Sequence, residues 1–134
     1  MPKLPRGIRN NNPLNLIISD NHWLGKVTEN TDGHFEQFTS MLYGCRAAII
    51  NARTIIKRNK NCSVQDLISV WAPANENNTE RYIEVVCTKG NFNRFERLDR
   101  SSKNQICRLL WAMAYVENGC DISFQYFENA WSII

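Results

Sequence analysis

The stretch Ser102-Lys103-Asn104-Gln105-Ile106-Cys107-Arg108-Leu109-Leu110-Trp111-Ala112-Met113-Ala114-Tyr115-Val116-Glu117-Asn118-Gly119 decides what kind of fold this sequence builds. Ser102 with Gln105 three residues on is a helix-start signature, in which a short hydroxyl side chain accepts an otherwise unpaired backbone N–H. Gly119 is placed to end the helix in a left-handed residue. Between them Ile106, Leu109, Leu110, Met113 and Ala114 recur at helical spacing and form one apolar stripe. The next position of that stripe is 117, and it holds a glutamate. A carboxylate there continues the core-facing side, in the last turn, where the helix dipole disfavours negative charge. Burial and dipole both push its pKa upward. The bland alternative is a side chain that curls into water beside Asn118 and Gly119 at a frayed end.

Working outward, everything after Thr39 reads as helical. Leu42, Cys45, Ile49, Ala52 and Ile56 recur at helical spacing, and Lys57-Arg58-Asn59-Lys60 follows where a helix end favours cations. Ser63, with Asp66 three residues on, starts a helix carrying Leu67, Ile68 and Val70, which Pro73 stops. Thr79 is the expected cap of a helix with Tyr82, Ile83 and Val86 that runs out near Gly90. A last helix, Ser123 to Trp131, carries Phe124, Phe127 and Trp131. Before Thr39 the pattern differs. Residues 6–22 are Asn-rich and irregular apart from the apolar run Leu14 to Ile18, and Leu24–Thr28 and His34–Phe38 flank Glu29-Asn30-Thr31-Asp32-Gly33. Asp-Gly between short β-prone runs predicts a hairpin. The expected fold class is α+β, mainly helical with one small β-hairpin, in a single domain over residues 1–134.

Composition bounds the function. Of 134 residues 43% are hydrophobic, enough for one core without disulfide staples. Sixteen basic against thirteen acidic side chains give +3, a mild balance that suits an anionic polymer such as a bacterial wall. The basic residues form no dense run, which speaks against nucleic acid. Five cysteines (Cys45, Cys62, Cys87, Cys107 and Cys120) lack Cys-x-x-Cys spacing, and the only histidines are His22 and His34. Neither a metal site nor a disulfide framework is expected, and the thiols read as small buried side chains. No run reaches membrane-spanning length, and Met1-Pro2-Lys3-Leu4-Pro5-Arg6-Gly7 lacks the apolar stretch of a secretory signal. The expectation is synthesis in the cytoplasm without a signal peptide, no membrane insertion and no cofactor.

The stripe position of Glu117 gives it a chemistry. A carboxyl kept protonated near neutral pH is what a general acid for glycoside cleavage needs, because the leaving oxygen must gain a proton as its bond breaks. Three hairpin carboxylates could assist: Glu29, Asp32 and Glu36. Asp32 is explained as a turn former and Glu36 by pairing with a neighbouring strand, so Glu29 ranks first. Trp23, Trp71 and Tyr82 lie near polar stretches and suit a sugar cleft, whereas Trp111 and Trp131 read as core.

Arg6-Gly7-Ile8-Arg9-Asn10-Asn11-Asn12-Pro13-Leu14-Asn15 resembles the opening of a phage- and prophage-encoded family related to lysozyme-like wall hydrolases. Further matches follow in order: Trp23-x-Gly25, Phe35-x-x-Phe38, Gly44-x-Arg46-Ala47, Trp71-Ala72-Pro73, Glu76-Asn77-x-Thr79-x-x-Tyr82-Ile83 and Glu117-Asn118-Gly119. That family is similar in turn to flagellar-type glucosaminidases and lytic transglycosylases, whose catalytic Glu precedes the hairpin. Here the matching helix comes last, so the resemblance implies a circularly permuted lysozyme-like fold with its catalytic helix near the C-terminus. It also implies Glu117 as catalytic acid, Glu29 as the second carboxylate, and Tyr82, Asn15 and Thr79 as substrate-binding residues. Leu14 departs from the family's usual glycine.

The implied activity is peptidoglycan glycan-strand cleavage by a muramidase, glucosaminidase or lytic transglycosylase. The rival is a non-catalytic peptidoglycan-binding or phage virion module on the same fold. Delivery to the wall would be by phage lysis, by a virion, or by a secretion machine as an antibacterial effector. The implied partners are bacterial peptidoglycan, with virion or secretion-machine components or a cognate immunity protein left open.

Overall fold

The computed structural model describes residues 3–134; Met1 and Pro2, the start of the segment read as leaderless, lie outside them. The described residues form α1 (Arg6–Arg9), α2 (Met41–Arg58), α3 (Val64–Trp71), α4 (Thr79–Gly90), α5 (Lys103–Asn118) and α6 (Phe124–Trp131). The protein is mainly helical. None of these helices is long and apolar enough to cross a membrane.

Helix α5 is the centre of the packing, touching α1, α2, α4 and α6. Its expected stripe, Ile106, Leu109, Leu110, Met113 and Ala114, is fully buried, and so are Cys107 and Ala112 beside it. Burial is wider than one stripe because helices cover α5 on several sides. Each large side chain removed from water here contributes roughly 1.5–3 kcal/mol. Ser102 accepts the Gln105 N–H, but the Gln105 side chain turns to the Asp99 N–H instead of closing a capping box. Gly119 ends the helix at φ +69°. Ser63 and Asp66 form a complete capping box on α3. The cap of α4 is Asn78 rather than Thr79, and its left-handed terminator is Asn91, at φ +56°, one residue past Gly90.

Trp111 and Trp131 are half-buried at the margin of the core, under Lys89 and Arg53 respectively. Cys45, Cys62 and Cys107 are buried, Cys87 and Cys120 half-buried, and all five are free thiols. Desolvation pushes the Cys107 thiol up to about 11, far from the reactive thiolate range.

The expected hairpin is not formed as a pair of strands. Lys26 and Phe38 make an isolated antiparallel bridge, while Phe35 pairs with Ile17 instead. Side chains explain this. Asn30 accepts the backbone N–H groups of Asp32 and Gly33 and donates to the Phe35 carbonyl, and Asp32 accepts the N–H groups of His34 and Phe35. Local Asx hydrogen bonds take the groups a β-ladder would have used. Asp32 also receives a bidentate Arg6 guanidinium at 2.8 and 2.7 Å. That pair holds its carboxyl well below the usual carboxylate range.

The Asn-rich segment is the least regular in sequence and the most connected in space. Asn12 is fully buried, bonding Leu16 N–H, Leu16 C=O and Glu36 C=O. Asn11 donates to the Phe38 carbonyl, and Asn10 to Asp32. Leu14 is 1% exposed and joins the main core. A smaller cluster, Leu16, Phe38 and Ala47, packs with Trp23, Tyr43 and Trp71.

Gly7 makes this docking possible. A Cβ there would collide with Asn118 Oδ1 and lie 2.9 Å from the Asn12 carbonyl. Gly7→Ala is expected to lower unfolding stability by about 2 kcal/mol, an overpacking penalty. Gly33→Ala, at φ +84° with open space around it, is expected to lower it by about 1 kcal/mol from left-handed strain alone. Urea unfolding midpoints check both, and an unchanged midpoint for Gly7→Ala would contradict the close approach.

Candidate active site

Two segments about a hundred residues apart meet at the C-terminal end of α5. Asn118 donates to the Pro13 carbonyl at 2.8 Å and to the Ala114 carbonyl at 2.9 Å. This fixes the loop that follows Pro13 against the helix end. Asn15 then adopts φ +52°, a left-handed conformation that asparagine tolerates better than most residues. Its amide Nδ2 donates to Glu117 Oε1 at 2.9 Å. From α4, the Tyr82 hydroxyl donates to Glu117 Oε2 at 2.8 Å.

Glu117 is half-buried and both of its oxygens have a neutral donor. Its pKa is raised. Desolvation is the largest cause, and the two hydrogen bonds oppose it without cancelling it. Tyr82, 5% exposed, is pushed up as well, by burial and then by the Glu117 charge, so it remains a phenol that can donate. Each carboxyl oxygen has a second lone pair, so Glu117 can carry a proton while both hydrogen bonds persist.

Glu117 and Asn15 line a groove of about 630 Å³, within the usual range of small-molecule sites. Trp23, Trp71, Ile17 and Val70 supply apolar wall, and Asn51 and Glu76 add polar groups. Among the described residues, no lysine or arginine lines it. Trp71 is fixed by its indole N–H to the Leu14 carbonyl at 3.3 Å. The wall near Trp23 is fixed by an ion pair between the half-buried Lys26 and the buried Glu36: Lys26 lies 3.0 Å from Glu36, which is 1% exposed. Lys26 also donates to the Ser19 and Asn21 carbonyls, and Glu36 accepts the Ser19 N–H.

The structure therefore brings Glu117, Asn15 and Tyr82 together and leaves two expected residues apart. Glu29 is exposed in a bend and does not line the groove. Thr79 gives its hydroxyl to the Ala72 carbonyl at 2.5 Å and anchors the α3–α4 loop rather than facing the groove. Tyr82 holds the acid from the core side and is a positioning residue. Asn51 and Glu76 were not singled out in the sequence as site residues. Asn51 carried a usable signal, since it falls on the apolar stripe of Ala47, Ala48 and Ile55, as Glu117 does on that of α5.

No established family profile matches the chain. Protein P5 of Pseudoalteromonas phage PM2 is 34% identical to it over 117 residues, covering 85% of this chain and 71% of the relative. The chain belongs to the family of protein P5. Its family thus includes a phage protein, which agrees with the phage association implied by the Arg6–Asn15 string. Among the described residues of this P5 relative, no cluster of His, Cys, Asp or Glu is placed to hold a metal ion.

The raised pKa has a thermodynamic sign. A carboxyl whose folded pKa exceeds its unfolded one favours folding below the unfolded value, and that advantage disappears as pH rises through the folded pKa. Glu117→Gln removes the titration and keeps an amide that can pair with both Asn15 and Tyr82. The variant should therefore gain stability relative to wild type as pH rises from below 4 to neutrality. Urea unfolding of both proteins across that window checks it, and a constant difference would contradict the raised pKa.

Proposed function

We propose that the protein cleaves the glycan strand of bacterial peptidoglycan, at the β-1,4 bond between N-acetylmuramic acid and N-acetylglucosamine or at the reverse linkage. Glu117 acts as the general acid, in a lysozyme-like fold whose acid-bearing helix has been permuted to the end of the chain. The observation that carries this reading is a half-buried glutamate with raised pKa, held by two neutral donors, lining an aromatic-walled groove. Trp23 and Trp71 suit the apolar faces of pyranose rings. A lining free of lysine and arginine among the described residues suits sugar better than a phosphate-rich polymer.

In this mechanism the Glu117 carboxyl delivers its proton to the glycosidic oxygen as the C1–O bond breaks. The Asn15 amide stabilises the carboxylate left behind, and Tyr82 strengthens its hydrogen bond as charge develops. Peptidoglycan is the partner, reached through phage lysis, a virion or a secretion machine. The phage relative also favours a second reading, a wall-binding or virion module that keeps the groove without chemistry.

Glu117→Gln separates the two. The enzyme reading expects wild type to clear purified sacculi and the variant to lose about 10²–10⁴-fold in rate, the usual range for a general acid. Melting temperature should not fall and the variant should still sediment with sacculi. Equal behaviour of the two proteins would leave the binding module.

A further inference from the structure

Resting on the glycan-cleavage reading, a second carboxylate can be assigned by following the groove rather than the hairpin. The hairpin acids are all committed elsewhere: Glu29 lies outside the groove, Asp32 is held by Arg6, and Glu36 is buried on Lys26. The acids that line the groove are Glu117 and Glu76. Their surroundings are opposite. Glu117 is half-buried on neutral donors, whereas Glu76 is exposed, with no ion pair engaging it among the described residues. Two carboxyl groups in contrasting environments on one cleft are the arrangement in which one serves as acid and the other as base.

Glu76 is also held on the frame that holds the acid. Its N–H and that of Asn77 both return to the Pro73 carbonyl, at 3.0 and 3.1 Å, which makes a tight turn. The Thr79 hydroxyl pins the loop to Ala72, and Asn78 caps α4. One turn further along α4, Tyr82 reaches Glu117. The loop is thus anchored to Ala72 and to the start of the helix that carries Tyr82, and Asn51 lines the same groove from α2.

We propose that Glu76 is the general base that activates water against the anomeric carbon, so that the reaction is hydrolysis with inversion rather than anhydro-sugar formation. The water oxygen forms a bond to C1 while the glycosidic C1–O bond breaks. The bonding pair leaves with the glycosidic oxygen, which takes the proton of Glu117. The water's proton passes to Glu76. Solvent then removes that proton and restores the one on Glu117, so no other co-reactant is needed.

The test digests purified sacculi with the full chain and its Glu76→Gln, Glu76→Ala and Glu117→Gln variants, reading products by mass spectrometry and initial anomer by NMR. Wild type is expected to release reducing ends with inverted configuration. Glu76→Gln should cut turnover by about 10²–10⁴-fold with sacculus binding unchanged. Sodium azide should revive Glu76→Ala and give an inverted glycosyl azide, which a merely structural role for Glu76 would not produce. Anhydro ends from wild type, retention of configuration, or wild-type turnover in Glu76→Gln would each overturn the assignment. If Glu117→Gln is dead while Glu76→Gln is active, only the Glu76 inference fails. If wild type binds sacculi and releases nothing, the cleavage reading itself fails and takes this inference with it.

Discussion

The docking of the Asn-rich loop onto the end of α5 is the constraint on which the rest depends. Asn118 reaches back to the Pro13 carbonyl, and Gly7 lets the backbone approach Asn118 more closely than any side chain would allow. Only with that loop in place does Asn15 lie over Glu117. A carboxylate on a core-facing stripe is costly to bury unless its oxygens are hydrogen-bonded. Here one donor comes from the loop and the other from Tyr82 on α4, so the acid records the correct assembly of three distant segments.

The same arrangement explains why stability and chemistry pull against each other at this end of the molecule. Neutral donors satisfy the oxygens but supply no compensating charge, so desolvation prevails and the acid form is favoured. An arginine in place of Asn15 would pair with the carboxylate and keep it ionised, leaving it no proton to donate near neutral pH. The buried Glu36 shows the contrast. It lies against Lys26, and the two together brace the groove wall from Ser19 to Asn21. One glutamate is neutralised by a cation and serves as a brace, while the other is left without one.

The helical part of the fold was legible because burial on a helix repeats with a short period. The stripes of α2 and α5, the Ser63 box, the Gly119 stop and the core-facing position of Glu117 all follow from residues within one or two turns of each other. What was not legible depends on distance or on competition. The Asp-Gly hairpin signal was overridden because Asn30 and Asp32 side chains occupy the backbone groups a ladder needs. The importance of Asn10, Asn11 and Asn12 was invisible because their partners lie between 4 and 27 residues away. Glu29 was favoured because it lacked a local explanation, yet that is as true of any solvated bend. Glu76 reaches the groove only through the packing of α3 against α4, which no spacing encodes.

The account turns on Glu117 holding its proton above the range of ordinary glutamates. Carboxyl carbon NMR of the folded protein, titrated from pH 3 to 8 and assigned by Glu117→Gln, reads this directly. The account predicts that the resonance lost in the variant titrates later than carboxyl groups open to solvent. A Glu117 carboxyl that titrates together with those solvent-facing groups would contradict it.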